Sequence, residues 1–384
     1  MNPRRRKLLT IGHSYVVALN RRLPEEIAAT GEWDVTVAAP ARFRGDFAWH
    51  TAQPAPGERT TLLPVPVHFG RRIHLMLYGS LLTRAIRNTA WDLVHVWEEP
   101  YVAAAAQIAA ATPAQVPLVF ATFQNIDKRY PPPFNWVERY ALGRADGVVA
   151  FGSTVASVLA QRGFATERTR TIPPGVDIAR FAPDASARAD LRARLAWRDD
   201  VPVVGFLGRL IVEKGLRIMT AALDRVTAPW RALIVGAGPL ERELRGWGER
   251  YPGRVVFQNT VAHDEVPRWL NAMDVLCAPS QTTPAWREQF GRMLIEAFAC
   301  GVPVVASDSG EIPSVVGAAG RIVPEQDADG WSRALTELLC NPSLRAEMAR
   351  RGRDRARETF AWPVVARAHA DFFADVIARR AAAC

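Results

Sequence analysis

The chain has 384 residues, 49% of them hydrophobic and 23% charged, a composition that supports two packed domains and argues against a disordered chain. No apolar run reaches the roughly 18 residues of a membrane-spanning helix, and the four cysteines, Cys277, Cys300, Cys340 and Cys384, share no metal-ligand spacing. The net charge of +9 suits an anionic membrane surface or phosphorylated ligands, and no DNA- or RNA-binding motif accompanies it, so nucleic acid is not expected as a partner.

The N-terminus, "MNPRRRKLLTIGHSYVV", starts basic, but its apolar stretch breaks at Gly12, His13 and Ser14. A signal peptide is therefore not expected. Cysteines inside apolar runs behave as small hydrophobes, which fits a reducing cytoplasm. In the first half, "KLLTIGH", "WDVTVAA", "LLPVPVH", "DLVHVW", "PLVFATF" and "DGVVAF" read as strands. "IHLMLYGSLLTRAIRN" and "PYVAAAAQIAAA" read as helices between them. Unbroken Val/Ile/Leu runs alternating with helices indicate a parallel sheet covered on both faces. His13, in the first loop, is a candidate for a ligand cleft, whereas His95 sits mid-strand and reads as core. Glu98 and Glu99 end a strand, and two readings fit them: binding or deprotonating a ligand hydroxyl, or acids at a helix start before Pro100. Residues 68–87, "HFGRRIHLMLYGSLLTRAIR", join arginines to a broad apolar stripe. That stripe is either a helix covering the sheet or a surface for an anionic membrane.

"IPPGVDIARFAPDASARAD", residues 172–190, has prolines, a glycine and no clear period, and reads as a break between domains. The expected layout is a first domain over 1–175, a linker over 176–200, a second domain over 201–361 and a terminal helix over 362–384. That helix has no strand of its own and is expected to pack back on the first domain. The second domain repeats the pattern with "VPVVGFLG", "RALIVGAG", "RVVFQNT", "DVLCAPS", "VPVVAS" and "GRIVP". The fold class is therefore α/β, with two doubly wound domains.

Ligands of such sheets bind at the C-terminal strand ends. "GFLGRLIVEKG" places Gly208, Arg209 and Lys214 at one such end, and a guanidinium with an ammonium suits a diphosphate. "VGAGPL" supplies Gly236 and Gly238 but lacks the third glycine of a dinucleotide fingerprint. "REQFGRMLIEAFACG" sets Glu288 in a loop, Phe290 and Gly291 at a helix start, and Glu296 one to two turns into the helix. On a continuous helix the two glutamates would stand about 80° apart, so they are expected to touch different parts of one extended ligand. Gly291 lets a backbone approach closely, and the following turn's free N–H groups favour an anion. "SDSGEIP" adds Gly310 and Glu311. The string Asp327-Ala-Asp329 reads as acid at a helix start rather than a metal site.

In this order and spacing the motifs resemble the retaining glycosyltransferases of family 4. "EQFGRMLIE" is similar to the family's E-x7-E element, "GRLIVEKG" to its G-R-x4-K-G element, and "IPPGVDIARFAP" to its interdomain segment, with Pro174 in place of Asn. The resemblance covers nearly the whole chain and is strongest over 170–315. It implies a GT-B fold, with two Rossmann-like domains facing a central cleft. It implies that Arg209 and Lys214 hold the donor diphosphate and that Glu288 binds the donor sugar. Glu296 would bind the ribose, with Gly208, Gly236, Gly238, Phe290 and Gly291 around the nucleotide. No metal or cofactor is implied.

The acceptor half departs from the family pattern. The first loop, "GHSYVV", has only Gly12, and "FQNIDKRYPPPF" offers Gln124 and Asn125 where many relatives have a histidine. His13, Glu98, Glu99, Gln124 and Asn125 are the acceptor-side candidates. The reading is transfer of a hexosyl group from a UDP- or GDP-sugar to a glycan or lipid-linked acceptor, in cell-envelope or exopolysaccharide synthesis, with possible peripheral contact to an anionic membrane. A nucleotide-sugar 2-epimerase on the same fold and a silent nucleotide-sugar binder are the alternatives. A nicotinamide-dependent oxidoreductase is disfavoured by the absence of G-x-G-x-x-G after any strand.

Overall fold

Runs of Val, Ile and Leu with few polar interruptions become central strands, because both faces of a parallel sheet are covered by helices. In the computed structural model, which describes residues 4–45, 49–198 and 200–383, all twelve runs singled out above contain strands. Cys384 lies outside the described residues. The chain divides into two compact units, residues 1–175 with 362–384, and residues 176–361.

The first unit holds β1 (Arg6–Ile11), β2 (Trp33–Pro40), β3 (Thr61–Val65), β4 (Leu93–Val96), β5 (Leu118–Thr122), β6 (Gly147–Ala150) and β7 (Thr169–Thr171). They form one parallel sheet in the order β7-β6-β5-β4-β1-β2-β3. The second unit holds β8 (Val203–Leu207), β9 (Arg231–Val235), β10 (Val255–Gln258), β11 (Val275–Ala278), β12 (Val304–Ser307) and β13 (Arg321–Val323). Its parallel order is β10-β9-β8-β11-β12-β13. Each order reverses once, between β1 and β4 and between β8 and β11. Those switch points are where an open α/β sheet leaves a crevice.

Three expectations change. Residues 176–200 are not a linker. Val176, Phe181 and Trp197 are buried in the core of the second unit, and a helix runs over Ala185–Arg194. Asp184 caps that helix by accepting from the Ser186 and Ala187 amides, both at 2.9 Å. Its arginines reach Asp274 at 2.9 Å from Arg188 and 2.5 Å from Arg192. The helix expected from Ile73 begins only at Ser80. Upstream, Val67–His68 pairs antiparallel with Leu77–Tyr78, and the Gly79 amide donates to the Pro66 carbonyl at 2.7 Å. The helix that does form, Ser80–Asn88, buries Leu82 and Ile86, so it covers the sheet. Third, β7 was not among the strands read from the sequence; it is short and half exposed.

The terminal helix, Trp362–Ala383, belongs to the first unit and lays Val365, Phe372, Phe373 and Val376 into its core. The Phe373 ring meets Trp33 edge-on at 5.9 Å and His95 at 5.1 Å between centroids. Gly147 lies under this helix, and a Cβ there would stand 2.8 Å from the Phe372 ring. Phe373→Ala is expected to cost the first unit about 3–5 kcal/mol, the usual range for truncating a buried aromatic. Denaturant unfolding should show that loss in the transition of the first unit, with residues 176–361 unfolding as in wild type.

Candidate functional site

At the switch point of the second unit, the β8 loop supplies Gly208, Arg209 and Lys214, and the β11 loop supplies Ser280, Trp286 and Glu288. Glu288 is buried, 6% exposed. Its Oε2 accepts from Lys214 Nζ at 2.5 Å and from Ser280 Oγ at 2.8 Å. The Lys214 ammonium also lies 5.3 Å from the centroid of Trp286. The two residues assigned separately to phosphate and to sugar therefore share one ion pair. Arg209, by contrast, is exposed, and its guanidinium has no hydrogen-bond or ion-pair partner among the described residues.

Backbone contacts lock the Glu288 loop to its neighbours. The Glu288 amide donates to Ser309 Oγ at 3.4 Å, and the Glu288 carbonyl accepts from the Glu311 amide at 3.1 Å. Gly310 has φ +55°, and a Cβ on it would lie 2.0 Å from that carbonyl oxygen. Only glycine fits. Ser309 bonds Thr282 at 2.9 Å, and Thr282 donates to Glu325 at 2.5 Å, so a polar chain runs from β13 to Glu288. Gly236, at φ +146°, meets the same limit: a Cβ would stand 1.8 Å from the Gly208 carbonyl. At Gly238, φ +159°, a Cβ would stand 2.5 Å from the Leu210 carbonyl oxygen. Both glycines are thus used against the β8 loop. The Phe290 side chain is core, edge-on to Phe360 at 5.8 Å. Gly291, at φ +79°, caps the helix Arg292–Ala299.

Glu296 lies in that helix, 7% exposed, and its Oε1 meets His263 Nε2 at 3.2 Å. Nearby, burial and then the charge of Glu296 push the Cys300 thiol up to about 12, so it stays protonated and inert. Asp327 caps its helix by accepting from the Gly330 amide at 2.8 Å. Among the described residues no group of three metal-ligating side chains occurs.

The switch point of the first unit brings His13 and Glu98 together. Glu98 is 1% exposed; its Oε1 accepts from the His13 amide at 2.6 Å and from the Tyr78 hydroxyl at 3.0 Å, and its Oε2 pairs with His13 Nδ1 at 2.6 Å. Burial lowers the affinity of His13 for a proton, but the charge and hydrogen bond of Glu98 outweigh it and hold the imidazole above its ordinary value. Glu99 is turned elsewhere. It accepts from Thr122 Oγ1 at 2.6 Å and from the Phe123 amide at 2.8 Å, and burial pushes its carboxyl up to about 7. Gln124 donates to the Ile126 carbonyl at 2.7 Å, and Asn125 is buried. His95 is core, its Nδ1 3.0 Å from the Thr10 hydroxyl.

Ser280, Ser309, Thr282, Glu325, Trp286, His263 and Tyr78 were not anticipated. Ser280 and Ser309 carried a signal, each being a polar residue two positions past a strand end. The others act across 20 to 40 residues or more, beyond any local pattern.

Two outcomes follow. Gly310→Ala should displace the Glu288 carbonyl and lower kcat at least tenfold while secondary structure by circular dichroism stays native, because 2.0 Å leaves no room for a methyl group. In Glu98→Gln the His13 titration, followed by proton NMR, should fall back toward its ordinary value of about 6.5. The folded-state value is raised, so the stabilisation that protonated His13 gains from Glu98 is complete below about 6.5 and fades as pH rises through the raised midpoint. The stability gap between wild type and Glu98→Gln should therefore narrow on the alkaline side.

The profile described as Glycosyltransferase Family 4 matches residues 15–180, and that described as Glycosyl transferases group 1 matches residues 201–341. The chain is 31% identical over 328 residues to a D-inositol 3-phosphate glycosyltransferase of Xylanimonas cellulosilytica, covering 79% of this chain and 77% of that protein. It is 38% identical over 200 residues to a GDP-mannose-dependent alpha-(1-6)-phosphatidylinositol monomannoside mannosyltransferase of Mycolicibacterium smegmatis, and there it spans 50% of this chain and about half, 52%, of the relative. Sucrose-phosphate synthase from Thermosynechococcus elongatus shares the fold, with a TM-score of 0.73 at 21% identity over 98% of this chain and 100% of that one. Two switch-point sheets, both profiles and the extended match converge: the chain is a glycosyltransferase of GT-B fold and belongs to family 4.

Proposed function

We propose that the protein moves a hexosyl group from a UDP- or GDP-sugar to a hydroxyl acceptor, with retention at C1 and without a metal. The carrying observation is the buried Lys214–Glu288 pair beside an unpaired Arg209 at one switch point. Breaking a bond to a sugar C1 builds positive charge on the sugar and negative charge on the leaving diphosphate. Arg209 and Lys214 are fixed cations for the second charge, the task otherwise given to a metal. With a donor bound, Lys214 trades part of its contact with Glu288 for phosphate oxygens, and the carboxylate takes sugar hydroxyls. Glu296, held by His263, takes the ribose hydroxyls. In the first unit, the His13–Glu98 pair receives the acceptor hydroxyl.

The acceptor is a glycan or a lipid-linked compound of the cell envelope. The name of one relative, which acts on a phosphatidylinositol monomannoside, favours a lipid-linked acceptor. The first unit exposes Phe69 at 68% and Trp136 at 61%, beside Arg71, Arg72 and Arg139. Such a surface supports peripheral contact with an anionic membrane. Among the described residues no helix is long and apolar enough to cross one.

Release of nucleoside diphosphate from UDP-, GDP- and ADP-sugars tests the reading. One donor should be hydrolysed slowly by wild type, at least a hundredfold less by Glu288→Ala and Arg209→Ala, as for loss of a group that stabilises transition-state charge. Chelator should change nothing. Cleavage undiminished in either mutant would refute the site, and abolition by chelator would refute metal independence.

A further inference from the structure

The loop after β11 carries a side chain that the hydrophobic core does not explain. Trp286 is half-buried, yet among the described residues it joins none of the hydrophobic clusters. The other tryptophans outside those clusters, Trp49 and Trp136, are simply exposed. Its ring instead faces the Lys214 ammonium, 5.3 Å from the centroid. The indole N–H has no partner among the described residues.

The ring is nonetheless held firmly. A tight turn closes at Thr283 and Trp286: the Thr283 amide donates to the Trp286 carbonyl at 2.7 Å, and the Trp286 amide donates to Thr283 Oγ1 at 3.1 Å. Below the turn, the Thr282 amide and hydroxyl both donate to the Glu325 carboxylate. Gln281 Nε2 donates to the Pro279 and Glu325 carbonyls, both at 2.8 Å, and the Gln281 amide donates to the Glu213 carbonyl at 2.7 Å. That last bond ties the turn to the β8 loop, next to Lys214. At Gly215, on the other side of Lys214, a Cβ would lie 1.7 Å from the Pro279 carbonyl oxygen. The two loops are therefore fixed against each other, with the indole beside the Lys214–Glu288 pair.

A cation over an indole face is attracted by the ring quadrupole. The same negative face attracts the weakly positive C–H bonds along one side of a pyranose. Lys214 and a sugar ring thus compete for one surface. They compete for Glu288 as well, since its carboxylate holds the ammonium here and takes sugar hydroxyls in the proposed complex. A diphosphate that draws Lys214 away vacates the carboxylate and the indole together. One then accepts hydrogen bonds and the other offers an apolar plane, which are the two kinds of contact a sugar ring makes.

We propose that Trp286 is the platform for the donor sugar, a pyranose laying its C–H face on the indole as Lys214 moves to the diphosphate. The assignment rests on the transferase reading above and adds a sugar contact to it.

The full chain is titrated by calorimetry with UDP, GDP and ADP, and with UDP-glucose, UDP-N-acetylglucosamine, GDP-mannose and ADP-glucose. For the nucleotide that wild type binds, Trp286→Ala should weaken a nucleotide-sugar about tenfold and leave the nucleoside diphosphate within about twofold. Trp286→Phe keeps an aromatic face and should recover most of that loss. A merely structural role would move both ligands together. Equal weakening of both, no weakening of any nucleotide-sugar, or a loss in Trp286→Phe as deep as in Trp286→Ala overturns the assignment. Failure of every nucleoside diphosphate to bind wild type overturns the transferase reading itself, and the platform with it. Where a diphosphate binds and Trp286→Ala spares the sugar, only the platform falls.

Discussion

A carboxylate taken out of water must find a compensating partner, and three such carboxylates organise this protein. Glu98, Glu288 and Glu296 are each less than 9% exposed, and each meets a basic side chain: His13, Lys214 and His263. Buried pairs of this kind are poor devices for stability, because well-packed apolar residues would do as well or better. Their positions explain them better. Glu98 and Glu288 stand at the two points where strand order reverses, and Glu296 lies in the helix that follows the second. Charge is retained where polar ligands enter such sheets.

Holding these groups in place falls largely to backbone contacts. The carbonyl of Glu288 lies against Gly310, and the β8 loop lies against Gly236 and Gly238, at separations that exclude a side chain. The site is therefore preorganised by main-chain geometry, with the Glu325–Thr282–Ser309 chain bracing the β11 loop from a third strand. Preorganisation of this type lets charge stabilisation act without reorganisation at the moment of bond cleavage.

The strands and the strand-end residues were legible in the sequence. Continuous β-branched runs can hardly be anything but buried parallel strands, and Arg209, Lys214 and Glu288 follow them directly. The partnerships were not legible. Lys214 and Glu288 are 74 residues apart, and nothing local announces that one neutralises the other. His13 and Glu98, 85 apart, pose the same difficulty. The helix Ala185–Arg194 was hidden for a different reason: its arginines resemble a solvated segment until Asp274 and the Ala272 carbonyl are seen to receive them. Residues 73–78 were misread because an apolar stripe suggested a helix where a short hairpin and Gly79 decide otherwise.

The second unit is spliced into the first. The chain leaves residues 1–175, builds residues 176–361, and returns for its last helix. At the splice, the Val176 amide donates to the Phe360 carbonyl at 2.7 Å, so the inserted unit begins and ends at one place. Such an arrangement sets a schedule during synthesis, when the chain emerges from its N-terminus. The first sheet is made early, yet the helix bearing Phe372, Phe373 and Val376 comes last, after the whole second unit. Until then the face that buries those three side chains is open. The first unit is begun before the inserted unit and completed after it, and the inserted unit is free to fold while its host still waits.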